Sequence, residues 1–165
     1  MNWAEWSWMK EYDFENSVGF WLSITTNSLH RRLAEQLAPF DITFRQMQVI
    51  AWLAREKKMT QSGLASRLMV EPPTLAGILS RMENCGWITR TQCSQDRRKN
   101  WIQMTKKVVP IWNRMTKRMA DVREEATAGL SKKETDELFR LLRKVHGNLG
   151  STDDRTTQIA KSSNR

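Results

Sequence analysis

Residues 59–105 read MTQSGLASRLMVEPPTLAGILSRMENCGWITRTQCSQDRRKNWIQMT, and three local patterns follow one another in them. After Thr60, Leu64, Ala65 and Leu68 recur at helical spacing and predict a short helix with those three side chains inward. A second helix opens at Glu71-Pro72-Pro73, where proline is tolerated because first-turn amides have no intrahelical partner. Val70 and Leu75 are placed as a hydrophobic staple, and Leu75, Ile78, Leu79 and Met82 form the core stripe. Gly86 suits the left-handed position just after that helix. The period then changes. Trp87-Ile88-Thr89-Arg90-Thr91 and Trp101-Ile102-Gln103-Met104 are β-branched and aromatic, as strands are, and the polar, basic stretch 92–100 between them reads as a long hairpin tip.

Working outward, both flanks are helical. Val18, Trp21, Leu22, Thr25, Leu29, Leu33 and Leu37 mark a long amphipathic helix that stops near Pro39. Thr43 with Gln46 forms a capping box opening a helix whose expected buried stripe is Met47, Ile50, Ala51 and Ala54. Beyond the hairpin, Val108, Trp112, Met115, Met119 and Val122 make one stripe. Ser131 with Glu134 opens a last helix carrying Leu138, Leu141, Leu142, Val145 and Leu149 on one face. The tail from Ser151 is polar and expected to be disordered. The predicted architecture is mainly α with a small β-hairpin wing. A winged helix-turn-helix at 41–106 lies between helical segments at 1–40 and 107–149, with the tail at 150–165.

The chain has 165 residues, one domain by length. Its net charge of +9 is uneven: residues 45–107 hold twelve basic and four acidic side chains, whereas residues 1–44 hold three and six. The middle module therefore carries the surface suited to a polyanion. Cys85 and Cys93 are too few for a disulfide scaffold and fit a reducing, cytoplasmic setting. The acidic start with Trp3, Trp6 and Trp8 does not have the pattern of a secretory leader. No stretch is long and apolar enough for a membrane span. With only His30 and His146 and no His/Cys cluster, no metal or other cofactor is expected. No nucleophile motif, catalytic carboxylate pair or phosphate-cradling glycine loop argues for an enzyme.

The physical logic of the layout is specific. A helix about 10–12 Å across fits a major groove about 12 Å wide. A basic hairpin then reaches the adjacent minor groove, whose negative potential attracts arginine. Off the apolar stripe of the second helix lie Pro73, Thr74, Gly77, Ser80 and Arg81. Gly77 in mid-helix costs about 1 kcal/mol relative to alanine. Either close approach of the backbone to DNA or tight packing on a neighbouring helix would favour it. Thr60 and Gln61 stand at a helix N-terminus whose amides suit a phosphate, although Thr60 also reads as a plain N-cap.

These residues carry a resemblance. Met59-Thr60-Gln61, Leu64-Ala65, Pro73-Thr74-Leu75, Arg81-Met82-Glu83, Gly86-Trp87-Ile88-Thr89-Arg90 and Asp96-Arg97-Arg98 closing on Met104-Thr105 stand in the order and spacing of the multiple-antibiotic-resistance regulator (MarR) family. The family's wing signature is Asp-x-Arg, five residues, then Leu-Thr, and this chain resembles it with Met104 in place of Leu. The resemblance implies a homodimeric transcriptional regulator, usually a repressor, whose two modules read the halves of a pseudo-palindromic operator in double-stranded DNA. It implies that Arg98 enters the minor groove with Asp96 orienting it, and that Arg90 contacts phosphate. An ion pair that merely stabilises the loop is the alternative for Asp96 and Arg98, and an exposed strand arginine is the alternative for Arg90. Arg97 and Lys99 suit phosphate contacts. Where many members have Thr-Arg in the recognition helix this chain has Ala76-Gly77, so a bidentate guanine contact from that position is missing.

The resemblance further implies release from DNA by a small anionic aromatic ligand held between the dimerisation helices and the winged module. Trp21, Thr25, His30 and Met47 are the expected lining by position, each with a plain core or surface role as its alternative. Trp3, Trp6 and Trp8, with Leu138, Leu141, Leu142, Val145 and Leu149, are the expected dimer contacts. Cys85 ends the recognition helix and Cys93 begins the wing; each is either an ordinary small residue or an oxidisable thiol beside the reading surface. The competing function is a sequence-indifferent architectural protein using the same basic surface for phosphates alone. A partner protein with an acidic face is a third possibility.

Overall fold

The computed structural model describes residues 13–92 and 100–150. Helix α1 spans Val18–Leu37, a single 3-10 turn follows at Ala38–Phe40, and α2 spans Phe44–Glu56. A short strand β1, Lys58–Thr60, leads into α3, Gln61–Leu68, and then α4, Pro72–Asn84. The hairpin is β2, Ile88–Gln92, and β3, Asn100–Met104, and a 3-10 turn at Lys106–Val108 enters α5, Val109–Ala126. Helix α6, Lys132–Leu149, ends the described chain. The strands form one antiparallel sheet in the order β1-β3-β2.

The helix boundaries follow from their caps. Thr43 Oγ1 accepts the Gln46 N–H at 3.3 Å while Gln46 Oε1 accepts the Thr43 N–H at 2.8 Å. Ser131 and Glu134 make the same reciprocal pair at the start of α6. The Ser131 hydrogen bond holds the Glu134 carboxyl below the usual carboxylate range. Helix α4 begins at its two prolines without a side-chain cap, as the missing donors allow. Gly86 follows it at φ 70°, the left-handed conformation expected there.

The core lies between α2, α3, α4, the inner face of the sheet and the first half of α5. All three inward residues expected of α3 and all four expected of α4 are buried. Val70 packs against this core, where Leu75 is fully buried. Helix α2 corrects its expected stripe: Val49 and Leu53 are fully buried beside Met47 and Ile50, while Ala51 and Ala54 are half-buried. Turning the helix this way buries the larger side chains, and Gln46 is accommodated because its amide serves the cap. The stripe on α1 is also less covered than expected. Leu33 and Leu37 are buried, whereas Val18, Trp21 and Leu29 are exposed. Helix α1 lies against α5 and α2, and α6 buries none of its residues within the chain.

The candidate DNA interface

Eight of the twelve residues expected to contact DNA are among the described residues, carried by β1, α3, α4 and β2. Thr60 Oγ1 accepts the Gly63 N–H at 3.1 Å, so the N-cap reading of Thr60 holds in the structure. Gln61 follows it as the first residue of α3 and is half-buried. On α4, Pro73, Thr74, Gly77, Ser80 and Arg81 are all exposed, opposite the buried Leu75, Ile78, Leu79 and Met82. A Cβ built on Gly77 meets nothing within 4 Å. Tight packing on a neighbouring helix is therefore not the reason for that glycine. Its helix face is open, as the DNA-approach reading requires. Gly77→Ala should accordingly raise folding stability by up to about 1 kcal/mol, the gain in helix propensity. It should also weaken DNA binding. Thermal melts beside binding titrations check both, and unchanged binding would remove Gly77 from the interface.

Arg90 occupies a different setting from the one expected of an exposed strand residue. It is half-buried, and its Nε lies 2.9 Å from Glu83 Oε2, an ion pair that ties β2 to the last turn of α4. Asp96, Arg97, Arg98 and Lys99, together with Cys93, lie outside the described residues. The described strands end with Gln92 opposite Asn100.

Three contributors to this surface were not among the expected site residues. Thr105, the closing residue of the wing motif, donates its hydroxyl to Gly86 O at 2.6 Å. Lys107 Nζ donates to Cys85 O at 2.9 Å, placing a cation at the C-terminal end of α4, where the helix dipole favours it. Together they fasten the far end of the hairpin to the recognition helix. The motif's Asp-x-Arg…Thr spacing was the available signal for Thr105. The third is Lys58, whose ammonium lies 4.8 Å from the Trp101 ring centroid. Its strand was not expected at all. Cys85 itself is exposed at the end of α4.

The four expected ligand-lining residues take different settings. Trp21 is exposed and donates its indole N–H to Glu15 O at 2.8 Å. The His30 ring sits 4.4 Å from that of Phe44, and Met47 is part of the core. Thr25 alone lines an open cleft of about 660 Å³ between α1 and α5, which also includes Leu29, Arg31, Arg32 and Glu125. Arg32 spans the two helices, with its Nε 2.9 Å from Glu125 Oε2 and its Nη1 2.9 Å from Glu35 Oε2. The Glu125 hydrogen bond, seconded by Glu35, holds its guanidinium pKa above the usual value.

Of the expected dimer contacts, Leu138, Leu141, Leu142 and Leu149 are exposed along α6 and Val145 is half-buried. Trp3, Trp6 and Trp8 lie outside the described residues. Among the described residues no group of His, Cys, Asp and Glu is arranged to hold a metal ion. No described helix is long and apolar enough to cross a membrane.

Comparison with known proteins places this geometry. Residues 42–99 match the model of the MarR family. MarR from E. coli, as a cysteine-to-serine mutant complexed with operator DNA, is similar at 25% identity and a TM-score of 0.76, over 83% of this chain and 99% of that one. The apo wild-type form of E. coli MarR matches at 26% identity and a TM-score of 0.68, over 82% and 98%. BpsR from Bordetella bronchiseptica, whose DNA binding is regulated by 6-hydroxynicotinic acid, shares the fold at 18% identity and a TM-score of 0.75, over 82% and 97%.

Proposed function

We propose that the chain is a DNA-binding transcription regulator of the MarR family, whose model matches residues 42–99, and that it is a cytoplasmic, homodimeric repressor of pseudo-palindromic operators. The observation that carries this reading is the exposed face of α4, where Pro73, Thr74, Gly77, Ser80 and Arg81 stand free of the core beside a hairpin locked to the helix end by Thr105. Such a helix enters a major groove with its N-terminal half against base edges. The hairpin tip, with Arg98 as inserted cation and Asp96 as its orienting partner, reads the flanking minor groove. Arg97 and Lys99 supply phosphate contacts, and Thr60 and Gln61 bring the start of α3 to the backbone.

The uncovered leucines of α6 support the dimer, since a helix with an apolar face and nothing over it needs a partner. A second copy places two recognition helices on one face of the duplex, about 10 bp apart. The proposed effector is a small anionic aromatic compound, the class to which the ligand of BpsR belongs. The α1–α5 cleft at Thr25 is the described cavity that suits it, with Arg31 on its wall.

Selection from a pool of random duplexes tests the reading. The expected product is a two-fold symmetric sequence with half-sites one helical turn apart. A pool that stays unenriched while the protein still retains DNA would replace it with the sequence-indifferent, architectural role.

A further inference from the structure

The outer face of the sheet carries a cation with a fixed place. Ile102 is buried and Met59 packs on the core, so by the alternation of a strand Lys58, Thr60, Trp101 and Gln103 point the other way. In the register Thr60 faces Trp101 across one strand pair, and Trp101 faces Thr91 across the other. Lys58 pairs with Gln103, which puts Trp101 on the diagonal, within reach of a long side chain. The Lys58 ammonium accordingly lies 4.8 Å from the centroid of the half-buried Trp101 ring. Lys58 itself is exposed and has no carboxylate partner among the described residues. Trp101 follows the start of β3 by one residue, and Lys58 precedes the cap of α3 by two. The pair thus stands at the tip-side end of the paired strands, between the two segments that the proposed function places on DNA.

We infer that Lys58 contacts a phosphate of the DNA beside the groove entered by the wing, and that Trp101 is its positioning residue. A free lysine is a mobile point charge on four methylenes. The electron-rich face of an indole holds such a charge in place while leaving its three donors outward. Thr60 and Thr91, the short neighbours of Trp101 in the register, leave room for a backbone to approach the ring. The inference rests on the DNA-binding reading above and adds a named contact to it.

The test is the salt dependence of binding to the selected duplex, by fluorescence anisotropy, for the full-length protein. Lys58→Gln should lower the slope of log K against log salt by about 0.9, and the affinity at about 0.15 M salt by about fivefold. Trp101→Leu should lower affinity by about twofold to fivefold, with Trp101→Phe restoring most of it. In a Lys58→Gln background Trp101→Leu should cost almost nothing further, because Trp101 acts through the lysine. An unchanged slope and affinity for Lys58→Gln, with the wild type still selective for its site, would overturn the inference and leave the function standing. A wild type that binds no duplex would overturn the function instead. Equal losses from Trp101→Leu in both backgrounds would make Trp101 a structural residue only. Should Trp101→Leu fail to fold, the Phe variant and Lys58→Gln still decide the phosphate contact.

Discussion

Leu141→Glu is expected to give a folded monomer that has lost its grip on operator DNA. Leu141 is 44% exposed in the single chain, between Leu138 at 38% and Leu142 at 39%, so a carboxylate there stays solvated and leaves the core untouched. In a dimer sealed by this face the same carboxylate would be buried without a partner, at a cost of several kcal/mol. Dissociation avoids that cost. Each winged module would then bind its half-site alone, forfeiting the effective concentration that two linked modules enjoy, worth about a hundredfold or more. Light scattering on the eluting protein gives the mass, and anisotropy gives the affinity. A variant that remains a dimer with unchanged affinity would show that α6 is not the seam.

Arg98→Ala is expected to lower affinity for the selected site by about tenfold or more while leaving melting temperature and dimer mass unchanged. An arginine in a narrow minor groove sits in the most negative potential of the duplex, and removing such a contact costs about 1–3 kcal/mol. Arg98→Lys should recover only part of the loss, since lysine keeps the charge and loses the flat guanidinium that fits between the strands. Asp96→Asn should fall between them, as the proposed orienting role of the aspartate, away from the DNA, requires. The contrast with Lys58 is informative. A groove contact changes the preference among sequences, whereas a phosphate contact weakens all duplexes alike. Equal affinity of Arg98→Ala and wild type for the selected site would remove the wing from the mechanism.

Legibility in the sequence followed the locality of the physics. The caps at Thr43 and Ser131, the proline start of α4 and the left-handed Gly86 each depend on a few neighbouring residues, and each is found where the sequence places it. The stripes of α3 and α4 were equally plain because each faces a single core. Strand β1 was not legible: Lys58–Thr60 is three residues long and exists by pairing with β3, more than forty residues on. The rotation of α2 toward Val49 and Leu53 was hidden because its heptad holds apolar residues on two overlapping faces, and packing volume decides between them. The exposed half of α1 and the whole face of α6 had the right period, but a period says that a face is covered and not by which chain. Of the expected ligand-lining positions, Met47 is part of the core, a plain role the sequence also allowed, while His30 packs on Phe44 across two helices, a contact only the tertiary fold reveals. At the interface, sequence spacing found the exposed residues of α4, whereas the pairing of Arg90 with Glu83 and of Lys58 with Trp101 required the tertiary fold.

The most direct measurement of the central claim is a fluorescence anisotropy titration at about 0.15 M salt, comparing the duplex returned by selection with a scrambled duplex of equal length and composition. A sequence-specific regulator predicts a preference above about a thousandfold for the selected duplex. Equal affinity for both duplexes, with a steep dependence on salt, would contradict it and establish a protein that reads phosphates alone.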